Sequence, residues 1–231
     1  VGILASEFTV FEKSTRVLIE SDPIETNDVP QIVIPDDIYE LFGEKVVSEI
    51  DSVVELAEKL WGKAEHVKAA PFNLSLILKA YQKLQGREVW KHYSNFIEKY
   101  HPCFGPGVKE RFEFSHKMSL LDLSEEETIA QQTVAYLNEL LAGGKILLLP
   151  TLPGCGLKKS VSLEEMNAFR NKMSASFCLG GLAGLPWITL PLAQFDNAPM
   201  GVSIVSSFNH DAWLLTQSKV LFEQYRRTKN D

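Results

Sequence analysis

The segment that most constrains the fold is the apolar run Ile146–Leu149, which lies between Lys145 and Pro150. A strand without polar alternation is predicted to be buried on both faces, and its sheet must then carry helices on both sides. Two further apolar segments, Trp187–Leu190 and Val202–Val205, predict more strands, and helical patterns precede and follow them. The sequence therefore predicts an α/β fold, a mixed sheet flanked by helices.

Periodic apolar positions predict several helices before and after these strands. They span Thr9–Ile19, Val46–Trp61, Val108–Met118 and His210–Tyr225, and Asn73–Tyr100 is predicted to form two helices that break at Gly86. Shorter apolar runs predict strands at Val1–Ala5, Gln31–Ile34 and His66–Ala69. Ser124 with Glu127, and Ser162 with Glu165, have the spacing of a capping box, which predicts that a helix begins at each serine.

Composition narrows the class of protein. Of the 231 residues, 45% are hydrophobic and 23% charged, a mix typical of soluble globular proteins. The net charge of -7 argues against a nucleic-acid partner, because phosphate binding needs a basic surface. Cys103, Cys155 and Cys178 form no CxxC pair, which favours a reducing compartment and a cytoplasmic location. No apolar run approaches the ~18 residues that would predict a membrane span.

The residues alone predict no active site. The sequence has no GxSxG, P-loop, GxGxxG or HExxH motif, and its five histidines are scattered, so neither a metal site nor a cofactor is predicted. Cys178 lies in an apolar stretch and is interpreted as a buried structural thiol. Cys155 lies in a Pro/Gly loop, and a reactive role for its thiol is an open alternative. The glycine-rich segment Gly180–Gly184 is interpreted as a place where a helix and a strand pack closely.

Four segments resemble motifs of the amidase-signature family and follow one another in the family's order. They are Ile146–Gly154, Gly181–Leu192, Ala198–Ile204 and the positions Asp211, Leu214, Leu215 and Glu223. The segment Phe104–Arg111, FGPGVKER, is similar to one in the plant-type members, which are the indole-acetamide hydrolases and the chloroplast outer-envelope import receptor. Val1–Ala5 resembles the segment that follows the family's catalytic region.

The resemblance implies that residues 1–231 are the C-terminal part of one amidase domain, with a helical region at 46–141 and a strand-rich region at 145–231. The whole protein is then expected to hydrolyse a small non-peptide amide, such as an aryl or indolyl acetamide, to a carboxylate and ammonia. Family members do so without metal or cofactor, using a Ser, a cis-Ser and a Lys. The Gly/Ser-rich tract that carries both serines is absent from this sequence, so no catalytic residue is carried over. The chain alone is therefore predicted to be an inactive fragment.

What remains of a site is the loop after the apolar strand, because α/β proteins place ligands at such strand ends. Thr151 and Leu152 are predicted to form part of the substrate pocket wall, and Trp187 is predicted to be core. Ser203 stands where the family usually has Gln, which bears on substrate preference. The alternative is a non-catalytic amidase-like binding or receptor domain, located at the plastid outer envelope surface. The expected partner is a small-molecule amide in the full-length protein. Formation of a homo-oligomer is a further open alternative.

Overall fold

A five-stranded mixed sheet lies at the centre of the computed structural model, which describes residues 2–19, 29–105 and 107–230. The strands are β1 (Gln31–Pro35), β2 (Glu65–Val67), β3 (Lys145–Pro150), β4 (Trp187–Phe195) and β5 (Ala198–Val205). Their order across the sheet is β2-β1-β3-β5-β4. β1 pairs in parallel with β2 and β3, whereas β5 pairs antiparallel with β3 and β4. The predicted mixed α/β sheet is therefore confirmed.

Helices surround this sheet. They are α1 (Phe8–Leu18), α2 (Asp36–Phe42), α3 (Glu44–Ser48), α4 (Asp51–Trp61), α5 (Leu74–Tyr100), α6 (Val108–Ser119), α7 (Ser124–Leu140), α8 (Leu163–Ala183) and α9 (Asp211–Asn230). The helices predicted around α1 and α6 are confirmed close to their predicted bounds, and α9 is confirmed but continues beyond its predicted end at Tyr225 to Asn230. In the described ranges, no helix is both long and apolar enough to cross a membrane.

The core is built around β3. Each of the residues Ile146–Leu149 is at most 2% exposed, as their uninterrupted apolar character predicts. The hydroxyl of Tyr39 in α2 donates a hydrogen bond to the backbone carbonyl of Leu148, with 3.1 Å between the oxygens. Burial raises the pKa of Tyr39 well above its usual range, so this hydroxyl keeps its proton. The side chain thereby fixes α2 against the central strand.

The predicted helix break at Gly86 is wrong, because α5 continues through this residue to Tyr100. Glycine costs a helix about 1 kcal/mol relative to alanine, so a break was a reasonable expectation. Here α6 packs against the glycine: a Cβ atom at position 86 would lie 3.0 Å from a ring carbon of Phe114 and 3.2 Å from Cγ of Met118. Close packing of the two helices thus offsets the poor helix propensity of Gly86.

Two other local predictions need correction. The single helix predicted over Val46–Trp61 is divided into α3 and α4, because Ile50 leaves the helical backbone (φ -106°, ψ 0°) while its side chain stays fully buried. The apolar pattern continues through this turn and hides it. The strand predicted at the N-terminus is also wrong. Its first residue, Val1, lies outside the described residues, and residues 2–5 form no regular structure. An apolar run becomes a strand only where a neighbouring strand pairs with it.

The two predicted capping boxes have different outcomes. At α8 the box forms, since Ser162 Oγ accepts from the Glu165 amide (3.1 Å) and Glu165 Oε2 accepts from the Ser162 amide (2.9 Å). At α7 it is wrong, because Ser124 is already the first helical residue. The carboxylate of Glu127 is instead bonded by the guanidinium of Arg87 on α5. Glu127 thus binds Arg87 on another helix instead of the backbone amide of Ser124.

Candidate functional site

The parallel strands end at one edge of the sheet, and the chain leaves each of them there with polar or small residues. Asp37 follows β1, Ala69 and Ala70 follow β2, and Thr151 follows β3. Crevices at the carboxyl ends of parallel strands are where open α/β sheets bind ligands. Groups that could hold a small molecule are therefore expected at this edge, where the predicted residues Thr151 and Leu152 follow β3.

Thr151, directly after β3, belongs to a hydrogen-bonded group with residues of β4 and β5. We call this group the hydroxyl cluster: Thr151, Trp187, Thr189 and Ser203. Its centre is Ser203 Oγ, which lies 2.7 Å from Thr151 Oγ1, 2.9 Å from Thr189 Oγ1 and 2.8 Å from the indole nitrogen of Trp187. The indole can only donate, so Ser203 must accept from it. Ser203 is fully buried and Thr151 is 8% exposed, whereas Thr189 is exposed. Thr189 is thus the member that can reach a ligand.

A glycine makes this arrangement possible. Gly201 lies on β5 between the two threonines, and a Cβ atom there would lie 2.6 Å from Cγ2 of Thr189 and 2.8 Å from Oγ1 of Thr151. The Thr151 amide also donates to the Gly201 carbonyl (2.9 Å), which continues the pairing of β3 with β5 beyond Pro150. Trp187 was predicted to be core. It is half-buried against Phe177, with ring centroids 4.6 Å apart, while its indole nitrogen serves the cluster.

Leu152 lies next to the cluster in the loop 150–156 and is half-buried. The loop is held by aromatic side chains, since a Cβ atom on Gly154 would contact Phe195 at 3.7 Å and Phe169 at 4.0 Å. Gly154 has φ +150°, a conformation that other residues rarely adopt. The structure therefore places Thr151 in the hydroxyl cluster and Leu152 beside it, on a loop whose path is fixed by packing.

A cavity of about 900 Å³ opens at the ends of β1 and β2, and the sequence did not reveal it. Asp37 lines it, and its carboxylate accepts from the amides of Ala69 (2.9 Å) and Ala70 (3.0 Å). Burial raises the pKa of Asp37 in spite of these donors. Asp37 lies in the first turn of α2, where a carboxylate complements the helix dipole. It also joins the ends of two strands, a contact between distant segments that no local pattern signals.

The cysteines and the glycine-rich segment were the other sequence features considered for a functional role. Cys178 is fully buried, and burial raises the pKa of its thiol to about 12, which confirms the interpretation as a structural residue. Cys155 is half-buried in the loop 150–156. Among the described residues, no group of three or more His, Cys, Asp or Glu side chains is placed to hold a metal ion. The glycine-rich segment does pack closely, as predicted: a Cβ atom on Gly180 would lie 2.9 Å from the Trp187 ring.

Replacing Ser203 with alanine is expected to lower the free energy of unfolding by about 1–2 kcal/mol, because Trp187 and Thr151 lose their common partner in a buried setting. Urea unfolding followed by circular dichroism would measure the change. Ser206→Ala is the matched control. Ser206 is equally buried just after β5, and its hydroxyl has no hydrogen-bond partner within the described part of the chain. Equal losses for the two variants would contradict a stabilising cluster.

Comparison with models of protein families gives no match. Curated proteins do match over nearly the whole chain. Amidase 1 of Arabidopsis thaliana is 21% identical over an alignment that covers 94% of this chain and 58% of the relative. The translocon at the outer membrane of chloroplasts 64 of Pisum sativum is 21% identical over an alignment that covers 96% of this chain and 42% of the relative. The chain thus spans about half the length of these relatives.

Solved structures show where this fold occurs. The crystal structure of an amidase superposes with a TM-score of 0.66 at 23% identity and covers 91% of this chain and 48% of that one. A bacterial aryl acylamidase of the amidase signature family gives a TM-score of 0.61 at 13% identity, covering 85% and 44%. At such identities the likeness shows the fold. The chain is therefore a homologue of the plant Amidase 1 and outer-envelope 64 proteins, and it has the fold of amidase-signature enzymes.

Proposed function

We propose that this chain is the C-terminal part of an amidase-signature hydrolase that cleaves a small non-peptide amide to a carboxylate and ammonia. The observation that carries the proposal is the hydroxyl cluster at the end of β3, on a sheet with the fold of known amidases. An exposed Thr189, backed by buried hydroxyls, offers a hydrogen-bonding wall that a polar amide group can use. Leu152, on the neighbouring loop, adds an apolar surface for the rest of the substrate.

The nucleophile, its base and the oxyanion donors are proposed to come from a segment outside these residues. Losing all three removes most of the rate enhancement of an acyl-transfer enzyme, so the chain alone should bind at best and not hydrolyse. We accordingly expect no ammonia release from phenylacetamide by residues 1–231, and release by the protein extended with its upstream segment. Hydrolysis by residues 1–231 would contradict the proposal that the catalytic groups lie outside them.

In the extended protein, Leu152→Ala is expected to raise KM for phenylacetamide about tenfold, because apolar contact with a substrate ring is worth that much. The effect on acetamide, which has no ring, should be much smaller. Leu157→Ala is the matched control, since Leu157 is 40% exposed further along the same segment. Steady-state kinetics with both amides would measure the difference. Equal effects on both substrates would contradict the assignment of Leu152 to the substrate pocket.

The second candidate function is a non-catalytic binding or receptor domain, favoured by the match to the chloroplast outer-membrane translocon protein over 96% of this chain. A receptor of this kind would act at the plastid outer envelope surface, whereas the hydrolase is proposed to be cytoplasmic. The same assay separates them. An extended protein that carries the intact serines and lysine but releases no ammonia from any small amide would favour the receptor.

A further inference from the structure

A second cavity, of about 530 Å³, lies between α5 and α6. All of its lining residues come from the second half of α5, from α6 and from the loop between them, and we call it the hairpin pocket. Its volume falls within the range of about 300–1,000 Å³ that is usual for small-molecule sites. The two helices that form it are held together by the close approach at Gly86, so the pocket is a property of the hairpin itself.

Aromatic rings form the walls of the hairpin pocket. Trp90 faces His116 with ring centroids 4.5 Å apart, and Phe104 faces Phe112 at 4.7 Å. Both pairs are tilted, with interplanar angles of 33°. Trp90, Phe104 and Phe112 are half-buried, so part of each side chain is accessible to a ligand. Such walls favour a flat aromatic ligand.

A lysine provides the positive charge that an anionic ligand would use in this pocket. Lys109, His101 and His116 offer hydrogen-bond donors, and Glu113 is the acidic residue that lines it. The amine of Lys109 is 3.8 Å from the Glu113 carboxylate, too far for a hydrogen bond, and both side chains are more than half exposed. The lysine can therefore turn to a ligand at little cost, because an exposed ion pair of this kind contributes at most about 1 kcal/mol. Aromatic walls can also hold cations, so an aromatic cation is the comparison that tests the sign of the ligand charge.

We propose that the hairpin pocket binds an aromatic carboxylate of one or two fused rings, with the ring against Trp90 and Phe112 and the carboxylate on Lys109. This binding site is separate from the hydroxyl cluster and does not depend on amide hydrolysis. It gives the α5–α6 hairpin a function of its own, as a sensor or carrier site for a small aromatic acid.

Cys103 provides a direct readout of occupancy, because it lines the pocket and is exposed. The probe is 2-naphthoate, and the measurement is the rate at which iodoacetamide alkylates each cysteine, followed peptide by peptide in a mass spectrometer. At a ligand concentration ten times Kd, occupancy should slow alkylation of Cys103 about tenfold. Cys155 is half-buried outside this pocket and should keep its rate. No slowing of Cys103, or equal slowing of Cys155, would overturn the proposal.

Two comparisons test the ligand chemistry. Cyclohexanecarboxylate keeps the charge without the aromatic ring, and 2-naphthylmethylamine keeps the ring with a positive charge. Either one protecting Cys103 as well as 2-naphthoate would overturn the assignment of an aromatic anion. Lys109→Gln is expected to weaken protection at least several-fold, whereas Lys117→Gln, on the same helix but outside the pocket, should not. Both residues are exposed, so both variants should fold, and equal protection in the two would remove Lys109 from the site.

Discussion

Leu149→Ala is expected to lower the free energy of unfolding by about 2–5 kcal/mol, the usual cost when a buried leucine is truncated and leaves a cavity. Leu149 is fully buried on β3, the strand that pairs with both β1 and β5. The core on both faces of the sheet depends on this strand, and the surrounding side chains are held by the backbone pairing, so the cavity cannot easily close. Chemical denaturation, with the midpoint and slope fitted together, would measure the loss.

The matched control is Leu163→Ala, which removes the same atoms from a side chain that is 68% exposed at the first turn of α8. Alanine has the higher helix propensity, so this variant should change stability by less than about 0.5 kcal/mol. A loss for Leu149→Ala as small as that of the control would mean that β3 is not the centre of the core.

Gly201→Val is expected to destabilise the protein by about 3 kcal/mol, at the upper end of the usual cost of overpacking. Valine suits a strand, and Gly201 does not have a left-handed backbone, so backbone conformation does not oppose the change. The cost arises because the new side chain would displace Thr189 and Thr151, each of which is within 3 Å of the position of its Cβ. The variant should therefore also break the contacts of both threonines with Ser203.

Gly156→Val is the control for this substitution. Gly156, at the end of the loop 150–156, has no left-handed φ, and an added Cβ there would meet no atom within 4 Å. Its replacement should be nearly neutral. Near-ultraviolet circular dichroism would report the loss of the Trp187 environment in Gly201→Val alone. An unchanged spectrum, together with unchanged stability, would show that the strand ends separate easily and that the hydroxyl cluster is not tightly packed.

The sequence predicted the sheet better than the details of its helices, for physical reasons. A run such as Ile146–Leu149 can be satisfied only by burial on both faces, so composition alone determines its place. The fate of Gly86 depends on Phe114 and Met118, which are distant in sequence, and their packing outweighs local propensity. The same holds for Glu127, whose carboxylate binds Arg87 on another helix rather than the backbone three residues before it.

The candidate site was predictable in part. The position of Thr151 at the end of a buried strand indicated the loop, since ligands bind at such ends. Its hydrogen bond to Ser203 could not be foreseen, because it depends on the register that sets Leu149 opposite Ser203 and Thr189 opposite Ser203. A useful signal was nevertheless present: Thr189 and Ser203 are hydroxyl residues inside otherwise apolar strand segments, and buried hydroxyls need partners.

The position of β3 in the sheet also has a kinetic consequence. On one side it pairs with β5, which forms a hairpin with β4 through the two-residue turn Asp196-Asn197, where both residues have positive φ. Such a turn brings its strands together locally and early. On the other side, Ile32 of β1 must meet Ile146 of β3 across α2 to α7, and closing so long a loop is entropically costly. We therefore expect the pairing of β1 with β3 to be the slow step of folding, which joins two parts of the chain.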